Sequence, residues 1–168
     1  MKSDDQDKSK MEDQYDKLAS KFNELYLSGT ERGRESMTVA LDIANEQLTV
    51  LGEFSEEQGE KLKQYLARDL DQTISDAQQL GEEAKERFHP ARLGAGALSS
   101  LATVLEFTGN ALSSLSGKTK KALTYKTGEM TSAGTLTCQA CGQKVHLKQT
   151  GHVPPCPKCN DTLFNKSY

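Results

Sequence analysis

Four thiols are the side chains best suited to chemistry in this chain, and all of them lie in one stretch. It reads GTLTCQACGQKVHLKQTGHVPPCPKCN, residues 134–160 of 168. The thiols form two C-x-x-C pairs, Cys138 with Cys141 and Cys156 with Cys159, fourteen residues apart. Such pairs serve as metal ligands, as redox dithiols or as disulfide staples. A thioredoxin-like dithiol needs one reactive pair at a helix start inside a βαβ unit. Here there are two pairs and no such pattern. The N-terminal MKSDDQDKSKMEDQYDK has no apolar signal-peptide core. A cytoplasmic, reducing location is therefore expected, where structural disulfides are rare.

A metal site remains. Each C-x-x-C turn presents two thiolates, and four soft sulfurs select zinc, or iron in a rubredoxin-like setting, over hard cations. One structural Zn2+ held by Cys138, Cys141, Cys156 and Cys159 is the expected cofactor. The neighbours agree. Gly142 and Asn160 follow the two pairs, where the turn calls for positive φ. Pro154, Pro155 and Pro157 stiffen the second turn. Residues 135–137, 144–148 and 162–164 read as short strands, giving a rubredoxin-like β zinc ribbon over 130–168. Four cysteines close the shell, whereas a catalytic zinc keeps a position open. His146 and His152 read as surface residues, and His89, beside Pro90, as a helix-end residue. No catalytic set is visible, so the protein is expected not to be an enzyme.

The elements that position this ribbon must come from a thin core. Only 35% of residues are hydrophobic, 27% are charged and Trp is absent, a balance that suits helices with a narrow apolar seam. Met11, Tyr15, Leu18, Phe22 and Leu25 follow a 4, 3, 4, 3 spacing, as do Met37, Leu41, Ala44, Leu48 and Leu51. The two stripes are out of phase, which calls for a break at 29–34 or a stutter. Gly52 can end the second helix, and Ser55 with Gln58 forms a capping box for a third. That helix carries Leu62, Leu66, Leu70, Ile74, Ala77 and Ala84 and is expected to stop near His89-Pro90. Residues 91–117 are rich in Leu, Ala, Ser and Gly. Their serines, Asn110 and Glu106 favour a partner-packing helix over a membrane-surface helix, and more strongly over a span. The fold expected is mainly α: a disordered 1–9, an antiparallel coiled-coil-like helical segment over 10–117, a basic linker over 118–129, then the ribbon.

Charge divides the chain. Residues 1–117 carry 13 Lys and Arg against 22 Asp and Glu, a net −9; residues 118–168 carry 8 Lys against 2 acids, a net +6. Lys118, Lys120, Lys121, Lys126, Lys144 and Lys148, with Lys158, could meet nucleic-acid phosphate. Arginines are missing there and aromatics are few, only Tyr125, Phe164 and Tyr168.

YKTGEMTSAGTLTC, the following C-x-x-C-G and PPCPKC together resemble the YbeL-like bacterial zinc-ribbon-containing proteins, a family of unknown function. LGEFSEEQGEKLKQYLARDLDQ is similar to that family's helical segment, with its turn before an acidic–basic helix. The resemblance runs from about Leu18 to Phe164 and is weakest over 91–117. It implies the same four cysteines as zinc ligands and brings no activity with it. The function expected is a non-enzymatic interaction protein. Its one-sided helical stripes would self-associate or take a protein partner. The alternatives are a nucleic-acid-associated ribbon and a zinc or thiol stress sensor that releases metal on oxidation.

Overall fold

A computed structural model describes residues 2–30, 33–80 and 123–167. The Leu-rich stretch 91–117, the expected stop at His89-Pro90, and Lys118, Lys120 and Lys121 lie outside these residues. Three helices lead the chain: α1 (Lys2–Ser28), α2 (Arg34–Val50) and α3 (Glu56–Leu80). α1 begins at Lys2, which corrects the expectation of a disordered 1–9. Neither Gly nor Pro occurs before Gly29, so nothing interrupts the helix that the packed stripe further on supports.

The apolar stripes become the helical core. Tyr15, Leu18 and Phe22 of α1, Met37, Leu41, Ala44 and Leu48 of α2, and Leu62, Leu66, Leu70 and Ile74 of α3 are all buried together. The phase shift between the first two stripes is a true break. Gly33, the α2 N-cap, has φ 154 and ψ 179, which side-chain-bearing residues rarely adopt. α2 ends as Gly52 N–H and Glu53 N–H bond back to Thr49 and Leu48 carbonyls, each at 3.0 Å. The Ser55–Gln58 capping box forms in both directions, at 3.2 and 3.3 Å.

Cross-helix pairs give the directions. Arg34–Asp71 (2.7 Å), Asp42–Lys63 (3.1 Å) and Asn45–Glu60 (3.1 Å) run antiparallel between α2 and α3. Gln14 donates to the Glu53 carbonyl at 2.7 Å and Lys17 pairs with the Glu53 carboxylate at 2.5 Å, so this part of α1 lies beside the connection between α2 and α3. Gly59 stands where α3 meets α2 and the chain between them. No helix among the described residues is long and apolar enough to cross a membrane.

Six short strands follow: β1 (Thr124–Lys126), β2 (Met130–Thr131), β3 (Gly134–Cys138), β4 (Lys144–Leu147), β5 (Gly151–His152) and β6 (Leu163–Ser167). An antiparallel four-stranded sheet has the order β1-β6-β3-β4, and β2 pairs with β5. The sheet therefore starts at Thr124, inside the stretch expected to be linker. Tyr125 pairs with Phe164 and both are fully buried, while Lys126 beside it faces out. Three-residue and two-residue strands are too short to show alternation in sequence, which is why β1, β2 and β5 escape detection there.

The ribbon docks on the helices through buried charge. Asp69 of α3 and Lys166 of β6 have no exposed side-chain surface, and their charged atoms lie 3.7 Å apart. The Asp69 carboxylate accepts from Tyr15 Oη (2.5 Å), Thr131 Oγ1 (2.9 Å) and Ser132 N–H (2.7 Å). Lys166 Nζ donates to Thr131 Oγ1 (2.7 Å) and to the Ser132 carbonyl and hydroxyl (both 2.8 Å), which uses its three protons. Beside this node, Arg68 lies over the Tyr125 ring at 3.9 Å, donates to the Met130 carbonyl at 2.9 Å and pairs with Glu129. At the edge, Thr150 Oγ1 donates to Asp16 at 2.7 Å and His152 faces Glu12 at 3.7 Å.

Two outcomes are expected. A Cβ at Gly59 would stand 2.4 Å from Asn45 Oδ1 and 2.8 Å from the Phe54 ring. Gly59→Ala should therefore destabilise the protein by about 1–3 kcal/mol through overpacking, less the gain in helix propensity, as read by urea unfolding. Burial brings the Lys166 ammonium down to about 8 from 10.5, against the pull of Asp69. The unfolded chain thus holds the extra proton between those values. This group's contribution to stability is present above 10.5 and is lost as pH falls through 8. On raising the pH from below to above 8, wild type should gain stability relative to Lys166→Met.

Candidate metal centre

Two turns of like design build the site. In the first, Cys138 accepts from Gly142 N–H at 3.0 Å and donates its own N–H to the Gln143 carbonyl at 2.9 Å. In the second, Cys156 accepts from Asn160 N–H at 2.9 Å and donates to the Asp161 carbonyl at 3.0 Å. Gly142 has φ 71 and Asn160 has φ 58, and Asn160 is the only non-glycine at positive φ among the described residues. Asparagine tolerates this region better than most residues, so the second turn closes without a glycine. β3 delivers Cys138 from the sheet, and Val153-Pro154-Pro155 delivers Cys156.

The turns bring the four sulfurs together, all within 4.8 Å of one another. Cys138–Cys159 and Cys141–Cys156 are 3.6 Å apart and Cys141–Cys159 is 3.4 Å. A disulfide would need about 2.05 Å. A tetrahedron with Zn–S bonds of about 2.3 Å has edges of about 3.8 Å. All four cysteines are free thiols, so geometry and donor set both fit zinc. Bound there, zinc would cross-link the two turns and supply no reaction of its own. Among the described residues no other group of His, Cys, Asp and Glu is arranged to hold a metal.

The two thiols of the second turn shift in opposite directions. Burial pushes Cys156 up, but the backbone N–H groups of Cys159 and Lys158, with the Cys141 and Cys159 thiols, outweigh it and bring it down to about 6. The Asp161 N–H pulls Cys159 down, but Cys141, burial, Cys156 and Cys138 together push it up to about 12. Cys156 therefore favours its thiolate and Cys159 its thiol, and a metal ion bound there would displace the proton from Cys159.

The structure also places the other candidates. His146 is exposed and shares a hydrogen bond with Thr135 at 3.0 Å, while His152 packs half-buried against α1 rather than on the surface. Neither joins the sulfurs. Lys126, Lys144, Lys148 and Lys158 are exposed. Tyr125 and Phe164, aromatics that could have stacked on bases, are buried on the other side of the sheet. Sequence reasoning missed Asp69, Arg68 and Lys166, which hold the ribbon to the helices. It also missed Asp161, whose carboxylate accepts from Leu163 N–H at 3.2 Å and stands 3.9 Å from Cys138 Sγ.

A family model described as a zinc-ribbon containing domain matches residues 26–167. No curated protein and no solved structure matches the chain.

Protein purified in reductant without chelator is expected to carry one zinc per chain by elemental analysis. Cys156→Ser should lose most of it and His146→Ala should keep it. Acidification should release the metal, because protons compete for the same thiolates.

Proposed function

The chain belongs to the family of zinc-ribbon containing domains, and on that premise we propose that it is a non-enzymatic interaction protein. Its single zinc is structural, its compartment is the reducing cytoplasm, and its helices carry the partner surface. The observation that supports this is the outer face of α2. Val39 (57% exposed), Ile43 (38%), Val50 (81%) and, at the C-cap, Leu51 (72%) are four of the five large hydrophobics left exposed among the described residues. Val39, Ile43 and Val50 form a second stripe, separate from Met37, Leu41, Ala44 and Leu48, which face the core. A helix apolar on two sides has a second surface to cover.

The occupant is a second copy of this chain. Val39 and Val50 lie at equal distances either side of residues 44–45, so an antiparallel α2 sets Val39 of one copy opposite Val50 of the other. A two-fold contact needs such self-complementarity. Light scattering after gel filtration over a wide concentration range should show a dimer that Val39→Glu/Ile43→Glu reduces to a monomer with intact helices. A wild type that stays monomeric throughout would reject self-association.

A second reading takes the solvent face of the sheet, where Lys126 and Lys144 stand, with Lys148 exposed beyond β4, as a contact for nucleic-acid phosphate. The burial of Tyr125 and Phe164 removes base stacking from that face, so any binding would be steeply salt-dependent and indifferent to sequence.

A further inference from the structure

We propose that Arg68 and Asp69 of α3 are positioning residues for the metal centre: they set zinc affinity from the helical layer, and zinc in turn tightens the ribbon onto the helices. This rests on the reading of the four thiols as a zinc site.

Both arms of the ribbon that end in a cysteine turn are rooted at this dipeptide. Asp69 holds Thr131 Oγ1 at 2.9 Å and Ser132 N–H at 2.7 Å. Two residues on, Gly134 opens β3, which ends at Cys138. Arg68 holds the Met130 carbonyl at 2.9 Å and the Glu129 carboxylate. The Glu129 carbonyl accepts from Val153 N–H at 2.9 Å, Gly128 N–H donates to the Val153 carbonyl at 2.8 Å, and Cys156 follows three residues later. A third link runs through β6. Lys166 bonds to Thr131 and Ser132 around Asp69. Phe164, on the same face of that strand, pairs with Cys138.

The two halves of the sulfur tetrahedron thus stand on separate arms, and both arms are tied to α3 at this dipeptide. Fixing the arms lowers the ordering cost that falls due when the metal binds. Outer partners that orient ligands act on metal affinity in this way. Linkage makes the effect mutual: whatever factor docking contributes to zinc affinity, zinc contributes to docking.

The test uses the full chain. Zinc affinity is measured by competition with a chromophoric chelator, and melting temperature is measured with and without zinc. Asp69→Asn and Arg68→Met weaken the two roots. Asp42→Asn, which weakens the ion pair between α2 and Lys63 of α3 and touches neither arm, is the control, and far-UV circular dichroism verifies the helices. Arg68 is partly exposed, so Arg68→Met carries the test should Asp69→Asn not fold. Zinc should bind both variants on the order of tenfold or more weakly, and the control should match wild type. The zinc-induced rise in melting temperature should also shrink in both variants. A purely structural role would lower the two melting temperatures equally and leave that rise unchanged. Wild type that binds no zinc would remove the zinc reading itself. Wild type that binds, with variants of equal affinity and equal rise, would overturn the positioning role alone.

Discussion

A carboxylate and an ammonium group, both shielded from water, join the two halves of this protein. Stripping water from such groups costs several kcal/mol each, and their attraction repays it only when the remaining donors and acceptors are filled. Asp69 and Lys166 meet that condition with partners from α1, β2, the link to β3, and each other. No one element can supply the set. The polar node therefore forms only when the helices and the ribbon are both folded and correctly placed.

The ribbon needs such an anchor. Its buried cluster consists of Tyr125, Leu136, Cys138, Val153, Cys156 and Phe164. Two of these six are sulfur ligands, so apolar burial alone is too small to hold the strands. A metal held by the four thiols would close one end, and the Arg68–Tyr125 stack with the Asp69 node closes the other. The helical cluster is larger and reaches Met130, which makes β2 part of the helical core.

Much of this was legible in the sequence, and the reasons differ by element. The four-thiol cluster was readable because a four-thiolate metal shell would restrict residue type, spacing and the φ of the following residue, and all three appear within one stretch. The helical stripes were readable because burial repeats every turn. The node was harder. Asp69 lies three residues after Leu66 and seven after Leu62, on the apolar phase of α3, and Lys166 lies two after Phe164 in β6. Each sits at an inward position, which is the signal of a buried charge. A single inward charge has no sequence-local partner, so the signal becomes readable only when the ribbon and helices are seen together. β1 was hidden for a different reason: Lys126 and the lysines that precede the strand in sequence gave the stretch the composition of a linker, while Tyr125 carried the burial.

The same arrangement bears on where activity can reside. With zinc bound, the four thiolates would fill its tetrahedral shell and leave no position on the metal for a substrate. The strongest buried polar cluster is fully occupied in joining ribbon to helices, so its groups are held in place rather than free to react. Two outward faces of the described residues contrast: the apolar stripe of α2, and a sheet face bearing lysines and threonines without aromatics. The first gains free energy from any cover that excludes water, at roughly 25 cal/mol per Å² of apolar surface. The second gains little from cover, because exposed lysines are already solvated and ion pairs there contribute at most about 1 kcal/mol each. The energetic difference between these faces favours α2 over the sheet as the surface that gains more from cover, which is the ground for the association proposed there.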